Sequence, residues 1–263
     1  MILETKSVEK PWGVTRLPSG FADAEGRRIG EIWFDQPGEP LPLLVKWLFT
    51  SERLSIQVHP NDDQARERGL ASGKEECWVI AAAEPDARLG IGTIRSMSGD
   101  ELRQASLDGS IEDLMDWKPV RPGDYFYIPA GTVHAIGAGI SLVEVQQNAD
   151  ITYRLYDYGR PRELHLDDGV TVSKPAPYGD ARSGRINPDA DEQQLVDGPL
   201  FDLWNARGEA IGKLATRGSW LVPMGGTVHA DGAEVAVGSC LYLQDEQRIE
   251  AGPDAVALIA RNR

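Results

Sequence analysis

Short stretches in which apolar and polar residues alternate recur along most of the chain. Glycine and proline separate them, with 28 Gly and 17 Pro among 263 residues. The clearest stretches are 54–58, 77–81, 125–128, 141–145, 220–222 and 256–259. Many short strands of period two, separated by turn residues, are typical of a β-sandwich or barrel. The sequence therefore predicts an all-β fold.

Composition excludes several classes of protein. The 27 Lys and Arg against 41 Asp and Glu give a net charge of −14, which repels nucleic acid and anionic membrane surfaces. The longest apolar run, residues 77–83, is far below the about 18 residues of a membrane span. Residues 1–10 show no pattern of a signal peptide, so we expect a cytoplasmic location. Cys77 and Cys240 are isolated, which argues against a disulfide framework or a thiolate metal cluster.

Two local signals predict helices inserted in the β domain, and one predicts a domain boundary. Asn61 and Ser98 each stand before a polar stretch as helix N-caps do. Between 173 and 199 the chain is rich in Pro, Gly and Asp and has almost no apolar periodicity. We therefore expect a first domain over residues 1–173, a linker over 174–199 and a smaller β unit over 200–263.

Polar side chains share a face on two of the predicted strands. In the stretch 54–60, period two places Gln57 and His59 opposite the apolar Ile56 and Val58. At 73–80 a glycine leads into an apolar strand on which Lys74, Glu76 and Trp78 share one face. For Gln57 and His59 alone, a solvated strand face is the simpler explanation.

The most specific stretch is residues 123–134, which fits the pattern G-x5-P-x-G-x2-H at every fixed position. Gly123 turns the chain into a strand, Pro129 and Gly131 tighten a hairpin, and His134 then projects back into the domain. This pattern resembles the second motif of the cupins, which hold a metal on histidine and glutamate inside a small β-barrel. The first cupin motif normally supplies His-x-His, where this chain has Gln57-Val58-His59.

With that departure, the chain resembles the type I phosphomannose isomerase family, in its short bacterial form, over most of the first 175 residues. The matching segments lie in chain order at 11–13, 29–33, 42–46, 54–62, 73–78, 123–136, 144–147, 150–158 and 162–165. The resemblance implies a cupin (jelly-roll) barrel with small helical insertions, followed by a degenerate, non-catalytic cupin unit. It also implies an isomerase that interconverts mannose 6-phosphate and fructose 6-phosphate, so that the partner is a sugar phosphate.

The resemblance further implies one divalent metal per chain. Its ligands would be Gln57, His59, Glu76 and His134. Two imidazoles, a carboxylate and an amide oxygen suit Zn²⁺ and also accept Mn²⁺, Co²⁺ or Fe²⁺.

The resemblance implies catalytic roles outside the metal ligands. Arg154 and Lys74 match the active-site arginine and lysine of the family. Glu144 and Asp150 are the carboxylates that we propose to test as the proton-abstracting base; the alternative for each is that it only orients Arg154 or packs at a turn.

Other readings stay open at this point. An isomerase of the same mechanism on another or unphosphorylated sugar is one alternative, because Glu75 and Asn148 depart from the family pattern beside active-site positions. A non-catalytic sugar-binding cupin is a second, and a cupin oxygenase is a third, which Gln57 argues against. His165 and His229 are interpreted as structural. His229 lies in a second copy of Gly-Thr-Val-His-Ala, at 226–230, without an upstream ligand pair.

Overall fold

The computed structural model describes residues 1–38 and 40–263. Its strands up to the predicted linker are β1 Glu4–Val14, β2 Ile29–Asp35, β3 Leu43–Thr50, β4 Ile56–Val58, β5 Glu76–Ala83, β6 Arg88–Thr93, β7 Met115–Pro119, β8 Asp124–Ile128, β9 His134–Ile136, β10 Ile140–Gln147 and β11 Tyr153–Tyr156. The later strands are β12 Gly184–Arg185, β13 Glu192–Asp197, β14 Phe201–Arg207, β15 Ser219–Gly225, β16 Val228–Ala230, β17 Ala233–Glu234, β18 Leu241–Tyr242, β19 Ile249–Ala251 and β20 Val256–Asn262. The helices are α1 Asp62–Arg66, α2 Gly99–Asp108, α3 Ile111–Leu114, α4 Leu166–Val172 and α5 Glu209–Leu214. An all-β fold with short helical insertions is confirmed.

The first part of the chain forms two facing antiparallel sheets. Sheet I has the order β1-β2-β3-β10-β5-β8-β12, and sheet II has the order β11-β4-β9-β6-β7. Trp78 and Leu142 of sheet I share one hydrophobic core with Leu89, Ile91 and Ile136 of sheet II. Burial of this apolar surface between the sheets is the main force that holds them together. The candidate site lies between the same two sheets.

Helices α2, α3 and α4 cover the other face of sheet II. Ile56 and Val58 of β4 point into a second core, which includes Leu102 of α2, Ile111 of α3 and Val172 of α4. The opposite face of β4 is thereby left for Gln57 and His59, as the alternation predicts.

The predicted helix starts at Asn61 and Ser98 are confirmed. In both cases a capping box joins the cap to the third helical residue, Gln64 in α1 and Glu101 in α2.

The C-terminal strands form two further sheets, one of which packs on sheet I. Sheet III has the order β13-β14-β20-β15-β18, and the small sheet IV has the order β17-β16-β19. The outer face of sheet I, with Trp47 and Val79, shares a core with Phe201, Trp220 and Leu258 of sheet III. Sheet III therefore covers a face of the first β unit.

The predicted linker contains regular structure at two points. Strand β12 pairs with β8 of sheet I, whereas β13 pairs with β14 of sheet III. The chain thus passes from one sheet system to the other between residues 185 and 192. The division into domains at 173 and 199 stays a prediction.

None of the helices in residues 1–38 and 40–263 has both the length and the apolar character needed to span a bilayer.

Candidate metal centre

Three side chains of ligand type converge between sheets I and II. One ligand atom from each of His59, Glu76 and His134 lies within 4.8 Å of the others. All three side chains are buried. His59 follows β4 and His134 begins β9, both in sheet II, whereas Glu76 begins β5 in sheet I. The cluster therefore joins the two layers.

The turn in the 123–134 motif brings His134 to the cluster. It leads from β8 in sheet I to β9 in sheet II, so the prediction of a hairpin is wrong and the turn is a crossing between the two sheets. Gly131 has φ +86°, a conformation that favours glycine, and its N–H donates to the His59 carbonyl at 2.9 Å. The Thr132 N–H donates to the Pro129 carbonyl at 3.1 Å, which closes the turn. The two histidine-bearing segments are thus hydrogen-bonded to each other through their backbones.

Backbone carbonyls fix the tautomer of both imidazoles. His59 donates from Nδ1 to the Ile151 carbonyl at 2.7 Å, and His134 donates from Nδ1 to the Thr132 carbonyl at 2.9 Å. A carbonyl only accepts, so each neutral ring carries its proton on Nδ1 and keeps a lone pair on Nε2. These Nε2 atoms lie 3.6 and 3.5 Å from the two oxygens of Glu76. Both lone pairs therefore face the carboxylate, as metal-binding histidines require.

Glu76 supplies the test of whether this cluster fits a cation. Its side chain is fully buried, and among the described residues no donor gives either oxygen a well-directed hydrogen bond. A buried carboxylate without such partners is costly unless positive charge compensates it, and the Lys74 ammonium, 2.7 Å from Oε2, supplies part of that charge. Burial, with the nearby Glu144 charge, raises the pKa of Glu76 to about 7. A divalent cation would satisfy both oxygens at once, so the donor set fits a metal ion.

The two histidines are kept neutral by their surroundings. Burial is the main cause that lowers the pKa of His134 to about 4. Burial, followed by the nearby Lys74 charge, lowers the pKa of His59 well below its usual value. Neutral imidazole is the form that binds metal, so both histidines are in their metal-binding form at neutral pH.

Gln57 lies on the same face, directly opposite His134 in the β4–β9 pair. Its Nε2 atom lies 3.3 Å from His134 Nε2, and its Oε1 accepts from the Ser55 hydroxyl at 3.3 Å. Rotation of the amide by a half turn exchanges the nitrogen and the oxygen and directs Oε1 at the cluster. Ligation by Gln57 stays a prediction.

Lys74 is the cation that lies nearest the cluster. Its ammonium group donates to His59 Nε2 at 3.1 Å and lies 2.7 Å from Glu76 Oε2. Burial alone would lower the pKa of Lys74, but Glu144 and Glu76 together raise it above its usual value. The side chain is therefore a buried, permanently protonated donor.

A row of alternating charges extends from Lys74 across sheet I. Glu144 lies 3.8 Å from Lys74 and 3.4 Å from Lys46, and Glu31 lies 3.9 Å from Lys46 and 3.0 Å from Lys10. We call these five residues the charge row. All except Lys10 are buried. Paired in this way, the buried charges stabilise one another against desolvation.

Glu144 is held in its ionised form by three partners. It accepts from the Trp78 indole at 2.9 Å as well as facing two lysines. Burial would raise its pKa, but Lys74 and Lys46 lower it to about 2. Glu144 is therefore ionised at any physiological pH.

Sequence reasoning missed Lys10, Glu31 and Lys46. They stand far from His59 and His134 in the sequence and reach the site only through pairing in sheet I. The available signal was Lys46, the single charge in the otherwise apolar strand Leu43–Thr50. A lysine is rarely fully buried unless it is paired, so its position predicts a buried carboxylate nearby.

A cavity of about 240 Å³ opens beside the cluster. Its cationic lining residues are Lys10, Lys46, Lys74, Arg154 and Arg162. The three lysines each lie within 4.0 Å of a carboxylate. Arg162 donates two hydrogen bonds to Asp157, at 2.5 and 2.7 Å. In the part of the chain that the structure describes, Arg154 has no such partner. The cavity therefore presents one guanidinium that is free to meet an anion.

Arg154 is held in place by backbone contacts. Its guanidinium donates from Nη1 to the Glu163 carbonyl at 2.7 Å, and its backbone N–H donates to His165 Nδ1 at 3.1 Å. Burial, followed by the charge of Arg162, lowers its pKa. His165 thus positions Arg154.

Asp150, the other proposed base, also lines the cavity and is exposed at its mouth.

Glu75, which departs from the family pattern, points away from the centre. Its carboxylate accepts from the Tyr127 hydroxyl on the opposite face of β5. His229 lies on β16 in sheet IV, outside the cluster.

Comparison with known proteins gives a consistent result. The sequence model of the family described as phosphomannose isomerase type I, catalytic domain, matches residues 21–99. The putative mannose-6-phosphate isomerase YvyI of Bacillus subtilis is 33% identical over 236 residues, which cover 79% of this chain and 73% of that protein. Mannose-6-phosphate isomerase ManA of the same organism is 43% identical over 163 residues, 56% of this chain and 51% of that one. The chain thus spans about half the length of ManA and of the Streptococcus mutans enzyme, where the share is 49%.

A solved structure extends the similarity to the whole fold. The crystal structure of the mannose 6-phosphate isomerase from Bacillus subtilis has a TM-score of 0.78 at 25% identity and covers 99% of this chain and 98% of that one. The fold and the buried cluster define a cupin-type β protein with a site suited to a metal ion. The chain belongs to the type I phosphomannose isomerase family, whose members are metal-dependent.

Proposed function

We propose that this chain is a metal-dependent aldose–ketose isomerase that interconverts mannose 6-phosphate and fructose 6-phosphate. The observation that carries the proposal is the buried cluster of His59, Glu76 and His134. The cluster adjoins a cavity through Lys74 and Gln57, which contact its two histidines and line that cavity together with Arg154. The names of the relatives agree with this activity.

Four side chains would hold the metal, namely Gln57, His59, Glu76 and His134, and Zn²⁺ is the ion we propose. When bound, the ion supplies a Lewis acid that stabilises negative charge on substrate oxygen. The isomerisation moves a proton between C1 and C2 with no net redox change, so a closed-shell ion suffices.

The reaction needs a base that removes the proton from C2 of the aldose and a donor that returns one to C1. Asp150 at the cavity mouth is accessible to substrate, whereas Glu144 is paired with two lysines. We therefore propose Asp150 as the base and Glu144 as the residue that holds Lys74. As the enediol forms, the Lys74 ammonium is a donor for substrate oxygen, and the unpaired Arg154 meets negative charge.

We propose that the chemistry belongs to residues 1–173 and that residues 200–263 are non-catalytic. The described residues that line the cavity all come before residue 163. Sheet III packs against the outer face of sheet I, away from the cluster. The C-terminal unit would then stabilise the sheet that carries Glu76.

A coupled assay on mannose 6-phosphate and on free mannose, before and after chelation, tests the proposal. We expect isomerisation of the phosphorylated sugar, loss on chelation and recovery with Zn²⁺. Equal rates on both sugars would favour the alternative of an isomerase for unphosphorylated sugars. Metal binding without turnover of either sugar would favour a sugar-binding cupin. Oxygen consumption would contradict an isomerase altogether.

A further inference from the structure

The segment after His59 and the segment before Glu76 are packed backbone to backbone. A Cβ atom at Gly73 would lie 2.5 Å from the Pro60 oxygen and 2.5 Å from the Asn61 carbonyl carbon, so only glycine fits there. The Lys74 N–H donates to the Pro60 carbonyl at 3.0 Å. The segment that follows His59 of sheet II is thus in direct contact with the segment that leads to Glu76 of sheet I.

Two side chains outside the cluster, Asp62 and Gln147, form hydrogen bonds to the backbone at this contact and to each other. Asp62 Oδ1 accepts from the Gly73 N–H at 2.8 Å and from Gln147 Nε2 at 2.9 Å. Gln147 Oε1 accepts from the Glu75 N–H at 2.9 Å, and the Gln147 N–H donates to the Glu75 carbonyl at 3.1 Å. We call Asp62 and Gln147 the clamp.

The clamp stands where regular pairing ends. The register between β10 and β5 runs as far as Gln146 opposite Glu76, so residues 73–75 lie beyond the ladder. Their backbone N–H groups need other acceptors, because a buried unpaired N–H costs as much as a lost hydrogen bond. Asp62, Pro60 and Gln147 supply one acceptor each. Gln147 is itself buried, at 7% exposure, which makes its hydrogen bonds stronger than they would be in water.

We propose that Asp62 and Gln147 are positioning residues that set the separation of His59 and Glu76 and thereby the affinity of the metal centre. The inference rests on the proposed metal centre. Asp62 belongs to the chain that continues from His59, and Gln147 holds the chain that leads into Glu76. A metal site needs its donors within about 0.5 Å of the correct geometry, which the packing of two separate sheets does not guarantee. The clamp supplies a direct connection between them.

The test is the affinity for Co²⁺ alone, measured by competition with a chromophoric chelator and with no sugar present. Gln147→Leu removes both side-chain hydrogen bonds at similar volume, and we expect it to bind Co²⁺ about tenfold or more weakly, the usual effect of losing an outer partner of a metal ligand. The matched control is Gln193→Leu. The Gln193 amide also accepts one hydrogen bond and donates one, from the Asn187 N–H at 2.7 Å and to the Arg185 carbonyl at 3.2 Å, but in the C-terminal part of the chain. It should keep the wild-type affinity.

A second pair of variants keeps the test decisive if Gln147→Leu does not fold. Asp62→Ala should weaken Co²⁺ binding by a similar factor, whereas Asp62→Asn keeps an acceptor oxygen and should restore it to within about twofold. Wild-type affinity in both Asp62→Ala and Gln147→Leu would overturn the proposal, and so would equal losses in Asp62→Ala and Asp62→Asn. Wild-type protein that binds no Co²⁺ would overturn it as well. Protein that binds Co²⁺ but fails to isomerise mannose 6-phosphate would refute the proposed function and leave the clamp standing.

Discussion

Arg154 and Gln57 lie directly opposite each other on the antiparallel strands β11 and β4. Opposed residues in such a pair project to the same face, about 4.5–5.5 Å apart at Cβ. Gln57 is in turn opposite His134 on β9. The guanidinium is thereby brought to the face of sheet II that carries His59 and His134. Among the described residues that line the cavity, Arg154 is the cation without a carboxylate partner.

This arrangement predicts the kinetic effect of Arg154→Ala. If Arg154 meets the charge that develops on the enediol, kcat and kcat/KM should fall together by about 10²-fold or more, because the contact strengthens in the transition state. Metal content should stay unchanged. A loss confined to KM, with poorer discrimination between phosphorylated and free mannose, would assign Arg154 to the phosphate instead. Steady-state kinetics on both sugars separate the two roles.

Replacement of His134 tests the ligand set. His134→Ala removes one of two imidazoles, and we expect the purified variant to lose bound metal and activity together. His229→Ala is the matched control, since it changes the same residue type in the same pentapeptide on sheet IV. Metal analysis by mass spectrometry measures both. Full occupancy in His134→Ala would refute the site.

Asp150 and Glu144 are distinguished by their surroundings. Asp150→Asn should lower kcat by about 10²-fold or more without changing the unfolding midpoint, because the side chain is exposed at the cavity mouth. Glu144→Gln should also lower the midpoint, since it leaves Lys46 and Lys74 with less compensation. Thermal unfolding and kcat together assign the base, and unchanged kcat in Asp150→Asn would exclude it.

Stability of the metal-free protein should depend on pH through His134. Its pKa is lowered to about 4 in the folded chain, against about 6.5 when unfolded, so the unfolded state binds the extra proton between these values. This group therefore stabilises the fold above about pH 6.5, and that contribution is lost as the pH falls toward 4. The raised pKa of Glu76 acts in the opposite direction over part of the same range. As the pH falls over this range, the free energy of unfolding of the chelated wild-type protein should decrease more steeply than that of chelated His134→Gln. Urea unfolding at each pH measures both values. Equal slopes would contradict the lowered pKa of His134.

The contact between sheets I and III makes a separate prediction. Phe201 is fully buried, and its ring centroid lies 5.6 Å from that of Tyr127. Phe201→Ala should lower the free energy of unfolding by about 3–5 kcal/mol. Metal affinity should be preserved if the C-terminal unit supplies no ligand. Urea unfolding and Co²⁺ titration give the two values.

The local features of the site were predictable from sequence, and its long-range features were not. Alternation placed Gln57 and His59 opposite Ile56 and Val58, because a strand with one face in a core has only one other face for polar groups. Pro129 and Gly131 likewise indicate a turn, but the turn joins sheet I to sheet II and is not the predicted hairpin. Lys10 and Glu31 give no such local signal, since they reach the centre only through the pairing of β1, β2 and β3.

The clamp escaped prediction for the same reason. Asp62 and Gln147 carry ordinary polar side chains, and their meaning depends on the end of a β-ladder that no short segment of sequence records. Gly73 was predicted as a turn, but its tight contact with Pro60 and Asn61 requires the folded backbone.

The ligand cluster takes His59 and His134 from sheet II and Glu76 from sheet I. Strands within a sheet are joined by hydrogen bonds, whereas facing sheets adhere mainly through apolar contacts, which have no preferred direction. An ion shared by the three side chains would therefore cross-link the two sheets. It would close the chain into two loops, from His59 to Glu76 and from Glu76 to His134, and so reduce the freedom of the unfolded chain wherever the ion is retained. The cation proposed for the chemistry would then also fix the alignment of the two layers, and sliding of one sheet over the other would be opposed beside the proposed substrate cavity.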